Sequence, residues 1–230
     1  METLATNKVS IVLRDYFYIM ETAQRIISKT HELFMRYGIR SVSMDDIAYH
    51  LGMSKKTIYQ YFADKDALVD GVLEIEIQRN HRQCELHKQN KENAVHEIFM
   101  AIDDMQDMLK QLNTSIVHDI QKYHPKSFQK LNEHKQEFFY KIIKDNLECG
   151  ISEGLYRPEI QVDILAKFHI ESIFVVMNGE VFPTSKYSIS RVSQEVLENF
   201  LYGIASLDGI KKIQQYKIQR QNPITHEQAN

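Results

Sequence analysis

Apolar residues recur along this chain with a period near 3.6, and no segment shows the sustained alternation that marks a strand. Over 21–37 the stripe is Ala23, Ile26, Ile27, Leu33, Phe34 and Tyr37. Gly38 follows, a residue that tolerates the left-handed geometry of a helix end. Ser43-Met-Asp-Asp46 has the form of a capping box, in which Ser43 accepts from the Asp46 amide and Asp46 returns the bond, although Glu or Gln is usual at the last position. A short helix over 45–51 is predicted with Ile47, Ala48 and Leu51 inward, and Gly52 breaks it. Ser54 caps a second short helix over 55–61, held down by Ile58 and Phe62, and Asp64 caps a long helix that starts at Lys65. Helices of about two turns are not stable alone. The helix over 21–37 must supply their packing surface. Residues 21–66 therefore read as a three-helix unit with a Gly turn before its last helix, the layout of a helix-turn-helix.

Beyond Lys65 the same periodicity predicts long helices with short breaks. They cover 65–88, 92–112, 115–123, 126–149, 160–182 and 192–207. The segment 160–182 is apolar on more than one face, as a helix buried on several sides must be. The predicted fold is all-α: an N-terminal three-helix helix-turn-helix domain over 21–66, then a helical bundle over 67–210. Residues 211–230 read as a polar tail that frays, and residues 1–20 as an extension, either an arm that touches DNA or the product of a mis-set start, with Met20 as the alternative. No internal repeat is found.

Composition narrows the picture. Eight Gly and four Pro in 230 residues are too few for an all-β fold with its many turns, or for a disordered chain. Two cysteines, Cys84 and Cys149, make no disulfide framework, so a reducing cytoplasm is expected. No apolar run approaches the ~18 residues of a membrane span, and no membrane partner is expected. The stretch 9–20 is interrupted by Arg14 and Asp15 and lacks a cleavage site, so it does not read as a signal peptide. Net charge is −3, but residues 21–65 carry seven Lys and Arg against five Asp and Glu, while 66–230 carry nineteen against twenty-four. A mildly basic head on an acidic body suits an anionic partner at the head.

Chemistry concentrates in Leu51-Gly-Met-Ser-Lys-Lys-Thr-Ile-Tyr-Gln-Tyr-Phe62. With Ile58 and Phe62 inward, Ser54, Lys55, Lys56, Thr57, Tyr59, Gln60 and Tyr61 remain partly outward, a set of ammonium, hydroxyl, amide and phenol groups suited to a phosphate-lined groove. Lys65 can add a contact. The plainer reading is a solvated helix whose lysines serve solubility. The run Phe34-x-x-Tyr-Gly38, Ser43-Met-Asp-Asp-Ile-Ala48, Leu51-Gly-Met-Ser-Lys55, Ile58-Tyr-x-Tyr-Phe62, Lys65-x-x-Leu68 resembles the DNA-binding signature of the TetR/AcrR family of bacterial transcriptional regulators. The resemblance covers about 45 residues. It implies a homodimer on double-stranded operator DNA, recognition helices in successive major grooves, and release by a small-molecule inducer. It places Ser43, Lys55, Thr57, Tyr59, Tyr61 and Lys65 at positions that often touch DNA. Val42 departs from the pattern, standing where Thr is common, and Lys56 replaces a small residue.

In the bundle, Phe99, Met105, His118, Phe138, Phe139, His169 and Met177 are candidates to line a ligand pocket; a plain core is the alternative for each. Ile173, Val176, Leu197, Phe200, Leu201 and Ile204 are candidates for the dimer interface, because the last two predicted helices carry more apolar surface than one chain easily hides. His81-x-x-Cys84-x-x-His87 invites a metal reading, but three residues at that spacing on a straight helix span about 9 Å of rise and cannot converge on one ion. No nucleophile motif, Gly-rich phosphate loop or paired acids appear, so neither catalysis nor a cofactor is expected. The expectation is a ligand-released repressor; the alternative from another class is a helical enzyme or binding module with a vestigial head.

Overall fold

The computed structural model describes residues 2–111, 113 and 115–221, and the fold is all-α. The helices are α1 (Glu2–Tyr37), α2 (Met44–Leu51), α3 (Lys55–Tyr59), α4 (Lys65–Asn90), α5 (Ala94–Gln111), α6 (Ser115–Tyr123), α7 (Pro125–His134), α8 (Tyr140–Ser152), α9 (Val162–Val176), α10 (Ile189–Ile204) and α11 (Leu207–Gln221), with a π-helical turn, Lys135–Phe139, between α7 and α8. Among the described residues the only β pairing is an isolated bridge between Tyr156 and Ala205, and no helix is long and apolar enough to cross a membrane.

The chain divides into two compact units. One comprises residues 1–76 and 115–128, the other 77–114 and 129–230. In the first, Ile26, Leu33, Phe34, Ile39, Val42, Ile47, Leu51, Ile58 and Leu68 form one buried cluster, and Ile120 of α6 belongs to it. The expected boundary at residue 66 is therefore too early. The buried Asp119 carboxylate accepts from the Arg40 backbone N–H at 3.0 Å. His124 Nδ1 meets the Asp66 carboxylate at 2.6 Å, and Ser127 Oγ donates to Asp70 at 2.7 Å. Sequence separations of 79, 58 and 57 residues hide these partners from any local reading. The helix expected to begin at Glu21 begins at Glu2, so the extension continues α1.

The second unit packs Phe99, Ile102, Leu147, Tyr156, Leu197, Phe200, Leu201, Ile204, Ile213 and Tyr216 into one core. Inside it, Tyr156 donates to Asn146 Oδ1 at 3.1 Å. Asn146 Nδ2 reaches Glu97 at 2.8 Å and the Ala94 carbonyl at 3.0 Å, while Lys91 closes on Glu97 at 2.7 Å. A Cβ at Gly150 would overlap the Tyr156 ring, so this end of the core is sealed. The predicted helix 126–149 is present, but with the π turn in its middle. There Lys135 is buried, with its ammonium 2.7 Å from Glu171 and 4.5 Å from the Phe174 ring centre.

Two expectations fail in this unit. The helix over 160–182 stops at Val176, because Asn178 and Gly179 turn the chain. The polar tail over 211–230 is replaced as far as Gln221 by α11, which buries Ile213 and Tyr216. The Tyr216 hydroxyl bonds Asn93 at 2.8 Å and Glu92 at 2.9 Å. The rest of that tail, 222–230, and Leu112 at the predicted end of 92–112 lie outside the described residues.

Candidate nucleic-acid interface

The geometry of the head starts with its caps. Ser43 Oγ accepts from the Asp46 N–H at 3.2 Å, and Asp46 Oδ2 accepts from the Ser43 N–H at 2.8 Å, so aspartate completes the capping box. The Ser43 hydroxyl, with its backbone N–H second, holds the Asp46 carboxyl below its ordinary range. Gly52 ends α2 at φ 63°, a conformation that a side chain would strain. Ser54 Oγ then accepts from the Thr57 N–H at 3.0 Å and starts α3, while Ile58 is fully buried beneath it. Caps and a buried anchor thus fix a five-residue helix that could not stand alone.

What this leaves outward decides the chemistry. Ser43, Ser54, Lys55, Lys56, Tyr59 and Gln60 are exposed, and Thr57 is half-buried with its hydroxyl 2.7 Å from Ser54 Oγ. Lys55 meets Asp45 of α2 at 2.9 Å, and that hydrogen bond raises its pKa. Tyr61 is less available than expected: it is half-buried against the head core. Lys65 is also half-buried. Its ammonium donates to the Ile39 carbonyl at 2.6 Å and lies 5.9 Å from the Phe34 ring centre, and burial lowers its pKa. The expected phosphate ligand is engaged in tying α4 to the turn after α1. Val42 is buried in the head core. Sequence reasoning missed Tyr49, which is 83% exposed and lies one turn from Asp45 on the same face of α2. A large aromatic on the polar face of a short amphipathic helix was the available signal.

The bundle residues scatter more. His118 stands on α6 in the head unit with 62% of its side chain exposed, so it leaves the ligand set. Phe99 is buried in the core; Met105, Phe138, Phe139 and Met177 are half-buried. His169 is buried, stacks on Phe200 with ring centres 3.9 Å apart and planes at 10°, and its Nδ1 has no hydrogen-bond partner among the described residues. Burial pulls its pKa down to about 4.

The dimer candidates need correction. Leu197, Phe200, Leu201 and Ile204 face the core of their own chain, Leu201 with no exposure at all, and Val176 is buried too; Ile173 is half-buried. Their stripe satisfies the monomer. The apolar surface left over is instead Ile164, Phe168 and Val175 on α9, of which Ile164 is 65% and Phe168 58% exposed.

His81, Cys84 and His87 go to separate surroundings. His81 stacks on Phe138 at 3.9 Å, His87 Nε2 meets Asp104 at 2.9 Å, and burial pushes the Cys84 thiol up to about 11.

A short capped helix set behind a Gly turn, with lysine, tyrosine and glutamine outward, defines a helix-turn-helix DNA-binding protein. Residues 26–72 match the sequence model described as "Bacterial regulatory proteins, tetR family". The chain belongs to that family and is a DNA-binding transcriptional regulator. It is 23% identical to the uncharacterized HTH-type transcriptional regulator YvaF of Bacillus subtilis over 80% of this chain and 95% of that protein. It is 22% identical to the HTH-type transcriptional repressor KstR2 of Rhodococcus jostii over 76% and 86%. Among solved structures, a TetR-family regulator from Agrobacterium tumefaciens shares the fold with a TM-score of 0.69 at 15% identity, covering 82% of this chain and all of that one (100%). The regulator FadR of Bacillus subtilis in complex with stearoyl-CoA does so with a TM-score of 0.60 at 20% identity, covering 79% and 98%.

Proposed function

We propose that the protein is a repressor that binds double-stranded operator DNA as a homodimer and is released by a small molecule held in its bundle. The observation that carries this reading is the outward row of Lys56 and Tyr59 on α3 and Gln60 at its C-cap, rigidly presented by Ser54 below and Ile58 behind. Lys56 serves phosphate, and Tyr59 and Gln60 can reach base edges or sugar. Lys55, paired with Asp45, adds a second cation on α3, and Tyr49 is exposed one turn along α2 from Asp45. Dimerisation is supported by Ile164, Phe168 and Val175, which fall on one stripe of α9 and are exposed. Release by a ligand is supported by the partly buried aromatic and Met side chains of the second unit, and by FadR, a protein of the same fold seen with an acyl-CoA. A repressor role is supported by KstR2, named as one.

The test is a gel shift of the full chain on the DNA upstream of its own gene, against a scrambled duplex of equal length. Lys56→Ala and Tyr59→Ala should each weaken the specific complex and leave the fold intact. Equal binding of both duplexes would leave only electrostatic affinity and end the operator reading.

A further inference from the structure

We infer that the bundle takes a neutral, largely apolar molecule bearing a single hydroxyl, and that this hydroxyl pairs with Nδ1 of His169. The inference rests on the ligand-released reading above and names the chemistry of that ligand.

Three observations lead to it. First, His169 lies in the middle of α9, within the core and flat against Phe200, and its Nδ1 is buried with no partner. A buried ring nitrogen left unmatched destabilises a fold, and native proteins keep few of them. A phenylalanine would make the same stack without that penalty, so stacking alone does not account for the histidine. Second, Ser193 of α10 is also buried, and its hydroxyl donates to the Met105 thioether at 3.7 Å, a weak acceptor that a better one can replace. Third, the packing differs along the α9–α10 pair. Tyr156 and Ile204 are buried at one end, whereas Ile173, Met177 and Val192 near the turn between the two helices, and Met105 of α5 against Ser193, keep part of their surface in solvent, which leaves a way in from that end. Methionines there can repack around a guest.

The charge of the guest follows from the surroundings. Lys167 and Glu171 on α9 are exposed, the latter held by Lys135, and Glu198 of α10 is held by Lys217 at 2.6 Å. Among the described residues no charged side chain acts on the His169 ring, whose lowered pKa comes from burial alone, so the ring stays neutral. A carboxylate or ammonium would enter an apolar site without a counter-charge. A hydroxyl both donates and accepts, so it complements either tautomer of the neutral ring.

The experiment compares wild type with His169→Phe, using 1-octanol, 1-decanol and 1-dodecanol against octanoate and decanoate near neutral pH. Without any ligand, His169→Phe should melt a few degrees higher than wild type, because the unmatched nitrogen is gone and the stack remains. A lower melting temperature would mean that the fold needs the nitrogen, and would overturn the inference. With ligand, the alkanols should bind wild type by calorimetry, shift the His169 ¹⁵Nδ1 resonance, and bind His169→Phe at least about tenfold more weakly. Alkanoates that bind as tightly as the alkanols, no binding by any alkanol, or equal binding by the variant would each overturn it. Both proteins should shift operator DNA equally in the absence of ligand. Operator binding without an alkanol response sinks this inference alone, whereas loss of operator binding by wild type takes down the regulator reading beneath it.

Discussion

Lys56 and Lys65 look alike in the sequence and do different things in the head. Lys56 is exposed on α3; Lys65 is half-buried and bonded to the Ile39 carbonyl. Lys56→Ala should therefore remove one phosphate contact per subunit and reduce the slope of log K against log salt by roughly two per dimer. Lys65→Ala should leave that slope nearly unchanged and destabilise the head by about 1 kcal/mol, read by thermal melting. Reversed results would exchange the two roles. His169 provides a pH signature at the same scale. Its pKa is lowered to about 4 in the fold, against about 6.5 when unfolded, so between those values the unfolded chain binds the extra proton. Its contribution is complete above pH ~6.5 and is lost as pH falls, by as much as ~3 kcal/mol near pH 4. His169→Phe should flatten that part of the curve; identical pH profiles for the two proteins would mean that the imidazole is not buried.

Helices α6 and α11 owe their places to partners that a local pattern does not reveal. The helix-turn-helix was legible because its signals are local: Ser43 and Ser54 as caps, Gly52 as the turn, Ile47 and Ile58 inward. Helix α11 was not, because three inward apolar residues, Ile210, Ile213 and Tyr216, are diluted by twelve others that are mostly polar. The assignment of α6 to the head was illegible for a different reason. Asp119 finds its partner 79 positions away at Arg40, and Ile120 joins a core whose other buried members lie between Ile26 and Val69, and no local pattern encodes that. Leu201 and Phe200 are dimer-interface candidates by sequence and core residues in the fold, because apolar excess on a helix does not say whether it meets its own chain or a second copy. Two outcomes follow. Ile213→Ala should destabilise the bundle by about 2–5 kcal/mol in denaturant melts, as a truncation in a closed core does, where a fraying tail would give no change. Asp119→Ala should leave the Arg40 N–H without its acceptor and cost about 1–3 kcal/mol, and it should lower operator affinity only as far as the head unfolds.

For the whole molecule, the two apolar surfaces of the last helices make opposite demands. Phe200→Glu places a carboxylate in the core of one chain and should prevent folding, with lost helical circular dichroism. Phe168→Glu alters an exposed side chain, so it should keep the helix content and yield a monomer in sedimentation. A Phe168→Glu protein that remains a dimer would move the interface off α9.

The claim on which the rest depends is that α3 reads DNA. The most direct measurement is the affinity of the full chain for its upstream DNA and for a scrambled duplex, across a salt series, for wild type and Tyr59→Ala. The account predicts a preference of about 10³-fold or more for the upstream DNA, and a steep fall of both affinities with salt. It predicts that Tyr59→Ala erodes the preference while leaving the salt dependence in place. A wild-type protein that binds both duplexes alike at every salt concentration, or a preference untouched by Tyr59→Ala, would contradict it.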